Sequence, residues 1–177
     1  LGAQMAEAVL LTDLPHNVPV PGWLLVLCRW LAVFGGLVLM AVMLMTVASV
    51  VKRGVFGAPI PGDYEMVELG SAVLIACFLP WCQITGGNVL VDFFTMQAGP
   101  RFNHLLEALG DLIYLLIGVL ILWRMWHGVA ELHGYAEQSM VLRLPIWISA
   151  ALMLPAFAVL VVTTFFTMIG HLKEARA

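Results

Sequence analysis

The chain has 177 residues, 62% of them hydrophobic and 11% charged, with a mean hydropathy of +1.00. Soluble domains are roughly 45–50% apolar and about 25% charged, so this excess is too large for one aqueous core and points to lipid. A net charge of −3 and a pI near 5.9 leave no basic stripe to neutralise phosphates, which argues against a nucleic-acid partner.

Residues 1–22 read as an N-terminal tail with Glu7, Asp13, Pro15, Pro19 and Pro21. No basic n-region precedes the first apolar segment, so that segment is expected to be a retained membrane helix rather than a cleaved leader. Met5 is a candidate start, with Leu1–Gln4 preceding it.

A helix crossing about 30 Å of hydrocarbon needs about 20 mostly apolar residues at 1.5 Å each. Four segments qualify and predict an all-α membrane protein, one domain over 23–171, with a C-terminal tail at 172–177. The first helix is expected over about 23–51, longer than a span requires and therefore tilted or projecting. The second covers about 66–85, ends at Gly86-Gly87-Asn88, and carries Pro80, which can kink its last turns. The third covers about 105–126 and the fourth 146–169. Helices are the expected solution because backbone polar groups find no water in lipid, and the alternation of a β-barrel is absent. Tryptophans 23, 30, 81, 123, 126 and 147 fall near the segment edges as an aromatic belt.

Three connections remain. Lys52 to Glu65, with Pro59, Pro61 and Gly62, reads as a tight irregular turn. Within Gly86 to His104, the apolar stretch 89–96 is too short to span and is expected to be an interfacial segment lying at the membrane surface in the connection between helices 2 and 3. His127 to Pro145 is helix-compatible and mildly amphipathic, suited to extending the third helix beyond the bilayer. Charge does not orient the chain. If both termini share a side, that side carries Arg29, Arg101, Lys173 and Arg176, against Lys52, Arg53, Arg124 and Arg143 on the other.

Ionisable groups in or near a membrane are the default functional candidates. Glu65 and Glu68 open the second helix on one face, where they complement the positive end of the helix dipole or pair with Lys52, Arg53 or a partner protein. Glu107 and Asp111 open the third helix four residues apart, six and ten residues after Arg101, and read as interfacial caps rather than a mid-membrane proton relay. A haem protein of four helices needs axial histidines facing one another inside the bundle. His104, His127 and His171 instead fall at helix ends, His133 in a connection and His16 in the tail. Cys28, Cys77 and Cys82 match neither a redox C-x-x-C nor a zinc spacing and read as small apolar residues. No catalytic residue, cofactor site or metal site is expected. Small residues such as Gly35-Gly36, Gly110 and Gly118 offer close helix approach.

One stretch carries a family resemblance. It runs Arg53-Gly-Val-Phe-Gly-Ala-Pro-Ile-Pro-Gly-Asp-Tyr-Glu65-Met-Val-Glu68-Leu, then an apolar helix, then Gly87-Asn-Val-Leu-Val-Asp92-Phe-Phe. This resembles the small, DctQ-like membrane subunit of tripartite ATP-independent periplasmic (TRAP) transporters. That family shows an Arg-aromatic-x-Phe end to its first helix, a proline-containing turn, a Glu-rich start to the second helix and a Gly-His-x-x-Val-Asp motif. Gly54 stands where an aromatic is usual and Asn88 where a histidine is usual.

The resemblance implies a subunit without chemistry of its own. It would sit beside a large permease that holds the substrate and sodium sites, with a periplasmic solute-binding protein delivering the solute. It would brace the large subunit, help dock the binding protein, and contact membrane lipids. It also implies a bacterial inner membrane with both termini in the cytoplasm, which breaks the charge tie. Arg53, Glu65 and Glu68 would then face the periplasm and Asp92 and Arg101 the cytoplasm, all five as candidate interface residues. The alternatives are a four-helix redox protein linked to haem or quinone, and an assembly subunit of another membrane complex.

Overall fold

The computed structural model describes residues 21–85 and 100–176, with side chains at 100–107 and 173–176 outside that description. Among the described residues it contains four helices: α1 Gly22–Phe56, α2 Asp63–Ile84, α3 Pro100–Tyr135 and α4 Trp147–Arg176. All four are long and apolar enough to cross a membrane. The protein is an all-α, multi-pass membrane protein. The expected interfacial stretch 89–96, together with Asp92, lies outside the described residues.

Three helices outrun the apolar segments that announced them. The sequence placed the end of α1 at 51, but the helix continues through Lys52 and Arg53 to Phe56. It stops where Gly57 enters the left-handed region at φ 71° and donates its N–H to Arg53 O at 3.0 Å. A glycine after the last turn closes a helix in this way. α3 likewise runs nine residues past Trp126, so the third connection does continue that helix, and α4 passes 169 to reach Arg176. Hydropathy marks where lipid begins and ends, whereas a helix stops only where its backbone is capped or turned. At 35 and 36 residues, α1 and α3 are about 52 and 54 Å long, well beyond the hydrocarbon thickness. Pro80, expected to kink the second helix, lies inside continuous α2, and Pro155 lies inside continuous α4.

The helices pack as a row rather than a ring. α1 lies along α2, α2 along α4, and α4 along α3, while α1 touches α4 only slightly. The inner helices α2 and α4 bury the most residues, and α1 and α3 at the two edges the fewest. The core is small: Val73, Ala76 and Cys77 of α2 against Ala156 of α4, with Leu31, Met153 and Phe157 packed round them. Elsewhere large apolar side chains face outward, which is the correct pattern where the solvent is hydrocarbon.

The α1–α2 seam explains one glycine and corrects another. Cys28, Gly35 and Ser49 are buried at multiples of seven residues on α1, with Val42 in the same row half-buried. A Cβ on Gly35 would lie 3.0 Å from Cys77 Cβ, and one on Gly70 would lie 2.5 Å from Val42 Cγ2. The helices therefore meet at Gly35 and Gly70, as small residues permit. Gly36 and Gly110, expected to share that role, have no atom within 4 Å of the position a Cβ would take, and Gly118 makes ordinary contact with Val161.

Candidate functional site

The described polar contacts between elements collect at the two ends of the row. At the connection end, α1 finishes, α2 begins, α3 finishes and α4 begins. There the sequence-selected Glu65 does something more specific than complement a dipole. Its Oε1 accepts the Val141 N–H at 2.8 Å and its Oε2 the Leu142 N–H at 3.0 Å. Both carboxylate oxygens thus hold the tip of the connection between α3 and α4, 76 and 77 residues away in sequence.

That connection is itself ordered. Gln138 bridges Pro145, Ser139 N–H donates to Leu144 O at 2.9 Å, and Arg143 N–H donates to Ser139 O at 3.2 Å. Ala136 and Arg143 take left-handed conformations, at φ 49° and 54°, to turn the chain. Leu142 covers Gly62, the residue before α2, so closely that any Cβ on Gly62 would collide with it. With φ at 79°, Gly62 is required both by its backbone and by the lack of space. The result is a small hairpin clamped to the start of α2, with Met140 almost wholly exposed at 97% on its tip.

A second tie sits beside it. Ser49 Oγ–H donates to Asp63 Oδ2 at 2.7 Å and accepts the Ile60 N–H at 3.2 Å, so one buried hydroxyl fastens the 57–62 turn to α1. Asp63 Oδ1 also accepts its neighbour Tyr64 N–H at 2.9 Å. Neither Ser49 nor Asp63 was selected from the sequence. A serine in an apolar run and an acid at a helix start both look ordinary. Arg53 and Glu68, in contrast, are exposed and show no side-chain bond among the described residues. The pairing of Lys52 or Arg53 with Glu65 or Glu68 is not formed among the described residues; Glu65 is engaged by the hairpin instead.

At the termini end a buried cluster joins three helices. Asp111 of α3 is only 7% exposed. Its Oδ1 accepts from Gln83 Nε2 of α2 at 2.9 Å, and its Oδ2 lies 3.0 Å from His171 Nδ1 of α4. Gln83 Nε2 also reaches Thr167 Oγ1 at 3.1 Å. Thr163, Thr164 and Thr167 are buried nearby, each returning its hydroxyl to a carbonyl of α4.

The sequence reading of Asp111 as an interfacial cap is therefore corrected. It faces inward, because Gln83 and His171 satisfy it there. Arg101 lies on the first turn of α3, and its side chain, like Asp92, falls outside the described residues.

Among the described residues no group of histidine, cysteine, aspartate and glutamate side chains converges to hold a metal ion. Cys28 and Cys77 are buried apart from the exposed Cys82. The described geometry is one of inter-element hydrogen bonds at each end of a thin apolar layer. The model of the family described as "Tripartite ATP-independent periplasmic transporters, DctQ component" matches residues 42–174, about three quarters of the chain. The chain belongs to that family. It is a small permease component of a TRAP transporter, and the match spans both the hairpin clamp and the buried cluster. No curated protein and no solved structure matches.

Proposed function

We propose that this DctQ-family subunit is a non-catalytic brace. It would stabilise the large permease subunit in a bacterial inner membrane and help dock a periplasmic solute-binding protein during ion-coupled, sodium-linked uptake of a small organic solute. The observation that carries this reading is the family match, joined to a layer with broad apolar faces and helices that outrun their apolar segments. Transporters that carry a substrate build it a site at mid-membrane from broken half-helices, whereas these four helices are continuous among the described residues.

With both termini cytoplasmic, the connection end faces the periplasm. Arg53 and Glu68, exposed beside the hairpin, are then the residues offered to a partner, and Glu65 acts by holding the hairpin in place. Asp92 and Arg101 would serve the cytoplasmic-side contact with the large subunit.

The test is a mild-detergent pull-down of the tagged chain from its native membrane, with partners identified by mass spectrometry. A large multi-helix permease in about equal amount is expected. Recovery of the chain alone, or with respiratory proteins, sinks the reading. At residue level, Glu65→Lys with Glu68→Lys is expected to impair assembly or binding-protein docking, and unchanged uptake would leave these acids no part in either. Asp92→Ala is expected to lower the detergent stability of the complex.

A further inference from the structure

The buried Asp111 has no part in the brace as so far described, and its position on α3 is informative. The inward face of α3 follows the series Ala108, Asp111, Leu115, Gly118, Leu122, Met125, Val129, Leu132, with alternating steps of three and four. That is the 3.5-residue seam of two helices packed nearly antiparallel, here α3 on α4. Apart from Asp111, every residue in it is apolar.

Such a seam is poorly specified in lipid. Sliding one apolar face along another by seven residues exchanges one set of dispersion contacts for a similar set, and hydrocarbon offers no penalty for the remainder. Gly118 against Val161, at ordinary contact distance, would tolerate many alternatives. Asp111 would not. In the observed register its carboxylate meets His171 and Gln83. Displaced by seven residues towards the start of α4, it would face the level of Thr164, whose hydroxyl already donates to Leu160 O.

We propose that Asp111 and His171 are the register-determining pair of the α3–α4 seam, and that Gln83 ties the chosen register to α2. The role parallels a single buried polar residue that fixes the alignment of a coiled coil. Asp111 is thus a positioning residue, setting how far α3 projects beyond the membrane and therefore where the 136–146 hairpin meets Glu65.

The test uses the full chain in its native membrane with Cys82→Ala and a cysteine at Gly118. The second cysteine is placed at Val161, or one heptad away at Leu154 or Met168. Seven residues along a helix is about 10 Å, too far for a disulfide in the observed register, so the three pairs report alignment. The 118–161 cross-link is expected to dominate. In the Asp111→Leu, His171→Leu variant, its excess over the displaced pairs is expected to fall about tenfold, the worth of two intramembrane hydrogen bonds.

The exchange Asp111→His with His171→Asp keeps the pair and is expected to restore the 118–161 preference. A 118–161 excess unchanged in the leucine variant overturns the proposal and leaves register to the small residues of the seam. An excess lost equally in both variants also overturns it, since the pair would then have been restored without restoring alignment.

Discussion

The two ends of the layer solve the same problem with different materials. At the connection end, Glu65, Asp63 and Ser49 fasten short loops, and many of the groups they bind are backbone N–H donors. At the termini end, Gln83, Asp111, Thr167 and His171 fasten helix to helix through side chains alone. Backbone donors are supplied by any residue that adopts the right turn, so the first end depends on conformation. Side-chain partners exist only where the residue type is correct, so the second depends on identity. A substitution should therefore have local consequences at one end and consequences for helix arrangement at the other.

The strongest way to break this contrast is Asp111→Ala, which leaves Gln83 and His171 without their shared acceptor. Removing one partner of a buried pair is expected to cost about 2–3 kcal/mol, below the fully buried case because His171 is partly exposed. Thermal unfolding of the purified complex would measure it, and a reduced preference for the 118–161 cross-link over the displaced pairs should accompany it. Next comes Gly62→Ala, which places a Cβ both in the left-handed region and against Leu142, at about 1–3 kcal/mol. Its effect should stay local, read as faster amide exchange at Val141 and Leu142 with the helices unchanged.

Glu65→Gln sharpens the same point. The amide has only one acceptor oxygen for the two N–H groups, so one of them loses its partner. Faster exchange at Val141 and Leu142 is expected again, with the thermal stability of the bundle unchanged. The smallest effect separates neighbours on one helix. Gly36→Leu faces open space and should change stability by less than about 0.5 kcal/mol, whereas Gly35→Leu should part α1 from α2. Equal effects at the two positions would mean that the seam runs elsewhere.

The four helices were legible because a run of about 20 apolar residues suits a membrane span and little else. Their ends were not, since Lys52 or His127 leaves the apolar segment without leaving the helix. The row order was also hidden. α1 is apolar on nearly every side, so hydropathy does not mark the row of Cys28, Gly35 and Ser49 as the buried one against the exposed Trp30 or Leu37. Residue size carried that signal weakly, and it pointed equally to Gly35 and Gly36.

Among the candidate sites, Glu65 was found but its partners were not, because two backbone N–H groups leave no trace in sequence. Asp111 was found and misplaced. Its partners stand 28 and 60 residues away, and an acid near a helix start already has a local role in complementing the dipole.

The row has one more consequence. A partition one helix thick is nearly all surface, so each of its helices is reachable from outside without the others being moved. A partner can be laid against such a wall after it has folded, with no strand or helix threaded between its parts. The partner can then leave again with the wall intact.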